Sequence, residues 1–212
     1  MNASAAGPAA SPKLAGRRDF ETIARWIKPG ARVLDLGCGD GSLLRYLRDA
    51  RGTHGYGIEN DDAKVLASVK NGVNVLQADL ESGLAGFDSN SFDYVILSLT
   101  LQAVRHTERI VRDMVRVGRE GIVTFPNFGY WRHRLQIFMG RMPVSKELPY
   151  QWYDTPNIHL FTIEDFEIFC AGHAVRIRER VVLSEDGSEV RALPNVLGAL
   201  AVYRFDDAGG AD

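Results

Sequence analysis

The residues best equipped to hold a ligand cluster in residues 32–44, RVLDLGCGDGSLL. An acid, Asp35, interrupts a branched apolar run. Gly37, Gly39 and Gly41 follow at alternate positions, with Cys38 between the first two. A glycine turn between a strand and a helix lets the backbone come close to a bound molecule. Further along, Glu59 with Asn60, Asp79 with Leu80, and Ser98 stand at or near the ends of three more strand-like runs. Cys38 reads as a small residue between glycines, not a nucleophile.

Dinucleotides need G-x-G-x-x-G and an anion-friendly helix N-terminus. Here the spacing is G-x-G-x-G, and Asp35 would repel a pyrophosphate. A ligand carrying an ammonium and a sulfonium would be attracted instead, and S-adenosylmethionine is such a ligand. The Glu59 carboxylate has two acceptor oxygens for the ribose hydroxyls. Asp79 can accept from the adenine amino group, with the Leu80 N–H beside it.

These residues need elements to bring them together. Residues 17–27 predict a lead-in helix with Phe20, Ile23, Ala24 and Ile27 on one face. Strand one is expected at 32–36, a helix to about Asp49, and strand two at 54–59. The next helix is capped by Asn60 or Asp61, has Val65, Leu66 and Val69 inward, and closes at Asn71-Gly72. Strand three covers 73–79. Residues 92–98, FDYVILS, form a continuous apolar run of the kind buried on both faces. Thr107 is expected to cap a helix with Ile110, Val111, Met114 and Val115 inside and Arg109, Arg112 and Arg116 outside. Gly118 stops it, and 121–125 form strand five. Thr162 with Asp165 resembles a capping box for a helix to Cys170. Strands near 175–183 and 198–205, joined through a loop containing Pro194, close the chain. Repeated βα units with a final strand pair predict an α/β, doubly wound, Rossmann-like sheet of seven strands whose terminal strands are antiparallel. Such sheets bind ligands at the carboxyl ends of their strands. Asp35, Glu59, Asp79 and Ser98 would then meet in one crevice.

The chain has 212 residues, 45% of them hydrophobic and 25% charged, and a net charge of -2. That suits one core-forming domain, and it gives no electrostatic case for nucleic acid or acidic membrane. Neither cysteine has metal-site or disulfide spacing, so no metal is expected and a reducing cytoplasm is the simplest setting. Residues 1–16 are expected as a disordered tail without a signal peptide, 17–205 as the domain, and 206–212 as a flexible tail.

Residues 128–160 form an aromatic insert. No catalytic residue can be assigned there or elsewhere. Tyr130, Trp131, Trp152, Tyr153, Asp154 and His159 are the candidates for a substrate or partner. The aromatics could line a small-molecule pocket, form a protein-contact surface, or simply pack. His106 and His133 are less informative, and Arg132 and Arg134 read as solvated. The turn after residue 98, SLTLQAV, lacks the Asn/Asp-Pro-Pro-aromatic pattern of nucleic-acid amino-methylation.

The order of Asp35, the glycines, Glu59, Asp79 and SFDYVILS resembles the class I methyltransferase fold. The segments TFPNFGYWRHRLQIFMGRMP and LPYQWYDTPNIHLFTIEDFE, with VLDLGCGDGSLL and SLTLQAVRH, resemble the MetW family of methionine biosynthesis proteins. That resemblance implies S-adenosylmethionine or S-adenosylhomocysteine as the bound cofactor. It also implies a homoserine O-acyltransferase as the partner that the protein activates. The alternative is an active methyltransferase on a small carboxylate or thioester.

Overall fold

A computed structural model describes residues 17–209. The tail expected at 1–16, and residues 210–212, lie outside the described residues. Seven strands form one sheet in the order β3-β2-β1-β4-β5-β7-β6. They are β1 (Arg32–Leu36), β2 (His54–Glu59), β3 (Asn74–Gln77), β4 (Phe92–Ser98), β5 (Gly118–Pro126), β6 (Val175–Leu183) and β7 (Leu200–Asp207). The first five run parallel, and β7 is antiparallel to both β5 and β6. The chain order reverses between β1 and β4, which opens a crevice at their carboxyl ends.

Alternating side chains on β1 and β4 feed two cores. On one face Val33, Tyr94 and Ile96 pack with Phe20, Ile23 and Ile27 of the first helix and its exit, and with Leu43 and Leu47 of the second. These helices are α1 (Arg18–Trp26) and α2 (Ser42–Arg51). On the other face Leu34, Leu36, Val95 and Leu97 meet Ile110, Val111 and Met114 of α4 (Thr107–Val117), and Phe166 and Cys170 of α6 (Ile163–Gly172). The Thr162–Asp165 capping box holds the start of α6.

Several local expectations are corrected. In α3 (Asp62–Lys70), Leu66 and Val69 face solvent; the buried residue is Ser68. Its small hydroxyl donates to the Gly39 carbonyl at 2.9 Å, so this face of α3 packs on the glycine turn. Thr107 is the first residue of α4 and makes no side-chain cap. Val115 is only half-buried. Arg116 is not simply outside: its guanidinium donates to the Leu84 and Phe87 carbonyls and pairs with Asp113. Strand β5 begins at Gly118, three residues earlier than expected. Strand β7 runs through Asp207, which still pairs with Val175 of β6, two residues past the expected boundary at 205; Arg176 and Arg178 both bind Asp206 there. The insert contains a helix that was not anticipated, α5 (Trp131–Phe138). A short helix, α7 (Pro194–Leu197), precedes β7.

Close packing under the glycine turn fixes Gly57. A Cβ there would stand 2.3 Å from the Cys38 Sγ and 2.9 Å from its Cβ. Gly57→Ala is expected to cost about 1–3 kcal/mol in denaturant unfolding. Adding Cys38→Ala should recover part of that loss; an equal loss in both backgrounds would contradict this packing.

Candidate functional site

The turn after β1 is built from left-handed glycines and clamped from two sides. Gly37, Gly39 and Gly41 all have positive φ, at 70°, 59° and 75°. A side chain is excluded twice over at Gly37, where a Cβ would also lie 2.9 Å from Thr100 Cγ2. The Gly37 and Cys38 N–H groups donate to the Ile58 carbonyl at 2.8 and 3.0 Å. From α3's end, Asn71 Nδ2 donates to the Asp40 carbonyl at 2.7 Å.

Glu59, at the end of β2, is buried and completes the clamp. Its Oε2 accepts from Gly39 N–H at 3.0 Å, and its Oε1 accepts from Asn60 and Asp61 N–H at 3.0 and 3.1 Å. Three acceptor sites are thereby used. One lone pair remains, on Oε2. Glu59 is therefore first a staple of the turn and has room for one further donor, not for two ribose hydroxyls without rearrangement.

Asp35 is the unusual group. It is 2% exposed, and among the described residues its Oδ1 has no hydrogen-bond partner. Burial, and then the neighbouring Glu59 charge, push its carboxyl up to about 8, with Arg17 opposing. A buried acid without a donor suits a site that receives a cationic ligand. The Cys38 thiol is also pushed up, to about 12, chiefly by burial and then by Asp35. It is no thiolate nucleophile.

Two adjoining cavities open at the strand ends and share Gly37 and Leu99. The smaller, about 420 Å³, is lined by Arg17, Asp35, Cys38, Gly39 and Ser98. Ser98 Oγ lies 3.1 Å from Thr124 Oγ1. The larger, about 740 Å³, is lined by Glu59, Asn60, Asp79, Leu80, Thr100 and His106, among others. Gly41 lines neither cavity; it is the N-cap of α2 and packs on Val73 and Ser68. Asp79 is exposed and caps a 3-10 turn by accepting from Glu81 N–H at 2.9 Å. Leu99, between the cavities, holds a left-handed backbone at φ 54°. That conformation is costly for a branched side chain and is often found at ligand sites.

The aromatic insert reaches this crevice, but through residues other than those singled out by type. Tyr150, Pro156, Asn157 and Ile158 roof the larger cavity. Tyr130 is buried, edge-on to Trp131 and His133. Trp152 and Tyr153 stand in solvent, with Asp154 beside them. His159 is half-buried and fixed by its backbone: the Ile158 and His159 N–H groups both donate to the Gln102 carbonyl. None of those six residues lines either cavity. Arg132 is ion-paired with Glu185, and Arg134 Nε donates to the Gly129 carbonyl at 2.5 Å. His133 is fully buried between the Asn127 carbonyl (3.1 Å) and Ser145 Oγ (3.0 Å), and burial holds it below the ordinary histidine range. Gln102 and Arg17 carry no local sequence signal; only the fold brings them to the crevice.

Seven strands in this order, an acid and a glycine turn after β1, and a crevice at the switch point define the class I methyltransferase fold. A methyltransferase structure from Mesorhizobium loti, described as S-adenosylmethionine dependent, superposes with a TM-score of 0.66 over 91% of this chain and 99% of that one, at 16% identity. The cyclase SpnF superposes at 0.67 over 97% of this chain and 86% of its own, at 17% identity. The family model described as "Methionine biosynthesis protein MetW" matches residues 17–205, and the chain belongs to that family. A bifunctional methionine biosynthesis protein MetXA/MetW of Rhodopirellula baltica is 38% identical over 200 residues, 88% of this chain. The chain spans about a third of that relative, 32% of its length.

The raised Asp35 carboxyl gives a pH dependence with a definite sign. The folded state binds this proton up to about pH 8, whereas an ordinary aspartate releases it near 3.8. Folding stability is therefore lost as pH rises through that window, by up to about 1.4 kcal/mol per pH unit. Asp35→Asn should remove this component. The difference in unfolding free energy between variant and wild type should grow from pH 5 to pH 8. A difference that stays flat would refute the unpaired acid.

Proposed function

We propose that the chain is an S-adenosylmethionine-binding subunit that docks on a homoserine O-acyltransferase and activates it. The observation that carries the docking is an outward apolar stripe on α5. Trp131, Leu135 and Phe138, at i, i+4 and i+7, are all exposed, Phe138 by 88%, and Met139 and Met142 extend the patch. An exposed apolar stripe at this spacing is the form an amphipathic helix takes when it lies in a partner's groove. The joint MetXA/MetW name of the Rhodopirellula relative supports a partner from the same pathway. We infer that its MetXA part is the acyltransferase. Two free buried thiols suit a reducing cytoplasm. Among the described residues no helix is long and apolar enough to cross a membrane.

For the cofactor, Asp35 would face the ammonium, with Gly37, Cys38, Gly39 and Ser98 around the methionine end. Gly41 would hold the turn from behind. Glu59 and Asn60 would take the ribose, and Asp79 and Leu80 the adenine. When bound, the cofactor supplies an electrophilic methyl on a sulfonium. A second reading, methyl transfer to a small carboxylate or thioester, is favoured by a further cavity that touches the crevice at Leu99 and Arg17.

Two outcomes are expected. Phe138→Asp should weaken co-purification with the acyltransferase at least ten-fold, about 1.4 kcal/mol, without lowering the melting temperature, because the side chain packs on little. Unchanged binding and activation would remove α5 from the interface. Glu59→Gln should weaken S-adenosylmethionine binding by ten-fold or more in calorimetry, since a charged acceptor of three N–H donors becomes a neutral amide. Wild-type affinity in that variant would exclude Glu59 from the site.

A further inference from the structure

The third cavity, about 340 Å³, lies between the start of α1, the segment after β4, residues 146–150 of the insert and the β6–β7 connection. It shares Leu99 with both crevice cavities, Arg17 with the smaller and Gln102 with the larger. Two of its lining side chains carry acceptors that no donor satisfies among the described residues. Gln102 is 8% exposed; its Nε2 donates to the Leu99 carbonyl at 2.8 Å, which leaves Oε1 buried with no donor. Glu147 Oε2 is likewise buried with no donor. Leaving a buried acceptor unpaired is unfavourable, so two at one cavity point to a donor that arrives with a ligand.

The charge around the cavity defines that ligand further. Arg17, Arg18 and Lys146 line it together with Asp19, Glu147 and Glu185. Asp19 is paired with Arg17, Arg18 with Glu21, and Glu185 with Arg132. Cations and carboxylates balance, so a bare anion or a bare cation is poorly matched and a zwitterion is well matched. Burial also raises the Glu147 carboxyl, which a nearby ammonium would bring back down.

We propose that this cavity binds a small α-amino acid, with its ammonium donating to Gln102 Oε1 and Glu147 Oε2 and its carboxylate toward Lys146 and Arg18. The volume accommodates a molecule of that size. The site extends the cofactor reading, because the two ligands would sit side by side across Leu99.

The test is calorimetry in two stages. S-adenosylhomocysteine is titrated first, which checks the cofactor reading alone. The twenty protein α-amino acids and L-homoserine are then titrated into protein with and without saturating S-adenosylhomocysteine. At least one is expected to bind with one-to-one stoichiometry, and its analogue lacking the amine should not. Glu147→Gln and Gln102→Leu should each weaken it ten-fold or more, and Glu147→Gln, at a residue that lines neither crevice cavity, should leave S-adenosylhomocysteine affinity within about two-fold. If Gln102→Leu unfolds, Glu147→Gln alone decides, since this side chain makes no hydrogen bond through the atom in question. Absence of amino-acid binding, or binding that survives Glu147→Gln, overturns the proposal. If S-adenosylhomocysteine binds while no amino acid does, the cofactor reading stands and only this site falls.

Discussion

Two carboxyl groups, those of Asp35 and Glu59, are buried near the ends of β1 and β2, and the crevice is arranged around the difference between them. Glu59 is surrounded by three backbone N–H donors, which charge-assist its hydrogen bonds and hold the glycine turn against β2. Asp35 has an oxygen with no donor, and the Glu59 charge makes its ionisation harder still. One acid builds the turn; the other is left wanting a cation. The three left-handed glycines follow from this arrangement, because the chain must reverse closely enough for Gly39 N–H to reach Glu59 and for Ser68 to reach the Gly39 carbonyl.

The insert is a second construction, bolted to the sheet by polar contacts. Asn127, fully buried at the end of β5, donates to the Asn195 and Gly198 carbonyls and accepts from Gly129 N–H at 3.0 Å. Its carbonyl faces His133, whose other ring nitrogen meets Ser145. These contacts orient α5 so that its apolar stripe points outward, while Tyr150 and residues 156–158 turn back over the crevice. One segment thus touches both the ligand space and the outer surface. For a ligand to alter a docked partner, it must bind the docked and free states with different affinity, and this segment is the physical link through which such a difference would act.

The sheet was legible in the sequence because its signals are local. A seven-residue apolar run such as Phe92–Ser98 has few alternatives, and Asp35 with three glycines marks a strand–turn–helix on its own. The apolar spacing of α3 points Leu66 and Val69 inward, whereas the tight turn beneath the helix has room only for Ser68. Helix α5 carries almost no inward apolar period; its buried residue is a histidine. Aromatic content drew attention to Trp152 and Tyr153, which stand in solvent, and away from Tyr150 and Gln102, which line the cavities. Gln102 and Glu147 matter only through a missing donor, and that depends on contacts between segments far apart in the chain.

The chain belongs to the family described as methionine biosynthesis protein MetW, and the claim on which the proposed function turns is that the crevice receives a cation at Asp35. The most direct measurement is the number of protons exchanged when S-adenosylmethionine binds, read by calorimetry near pH 6.5 in buffers of different ionisation enthalpy. An acid held at about 8 is protonated there, and an arriving ammonium would drive its proton off. Release of close to one proton, abolished in Asp35→Asn, is the result expected. Tight binding with no proton release in the wild type would contradict the account.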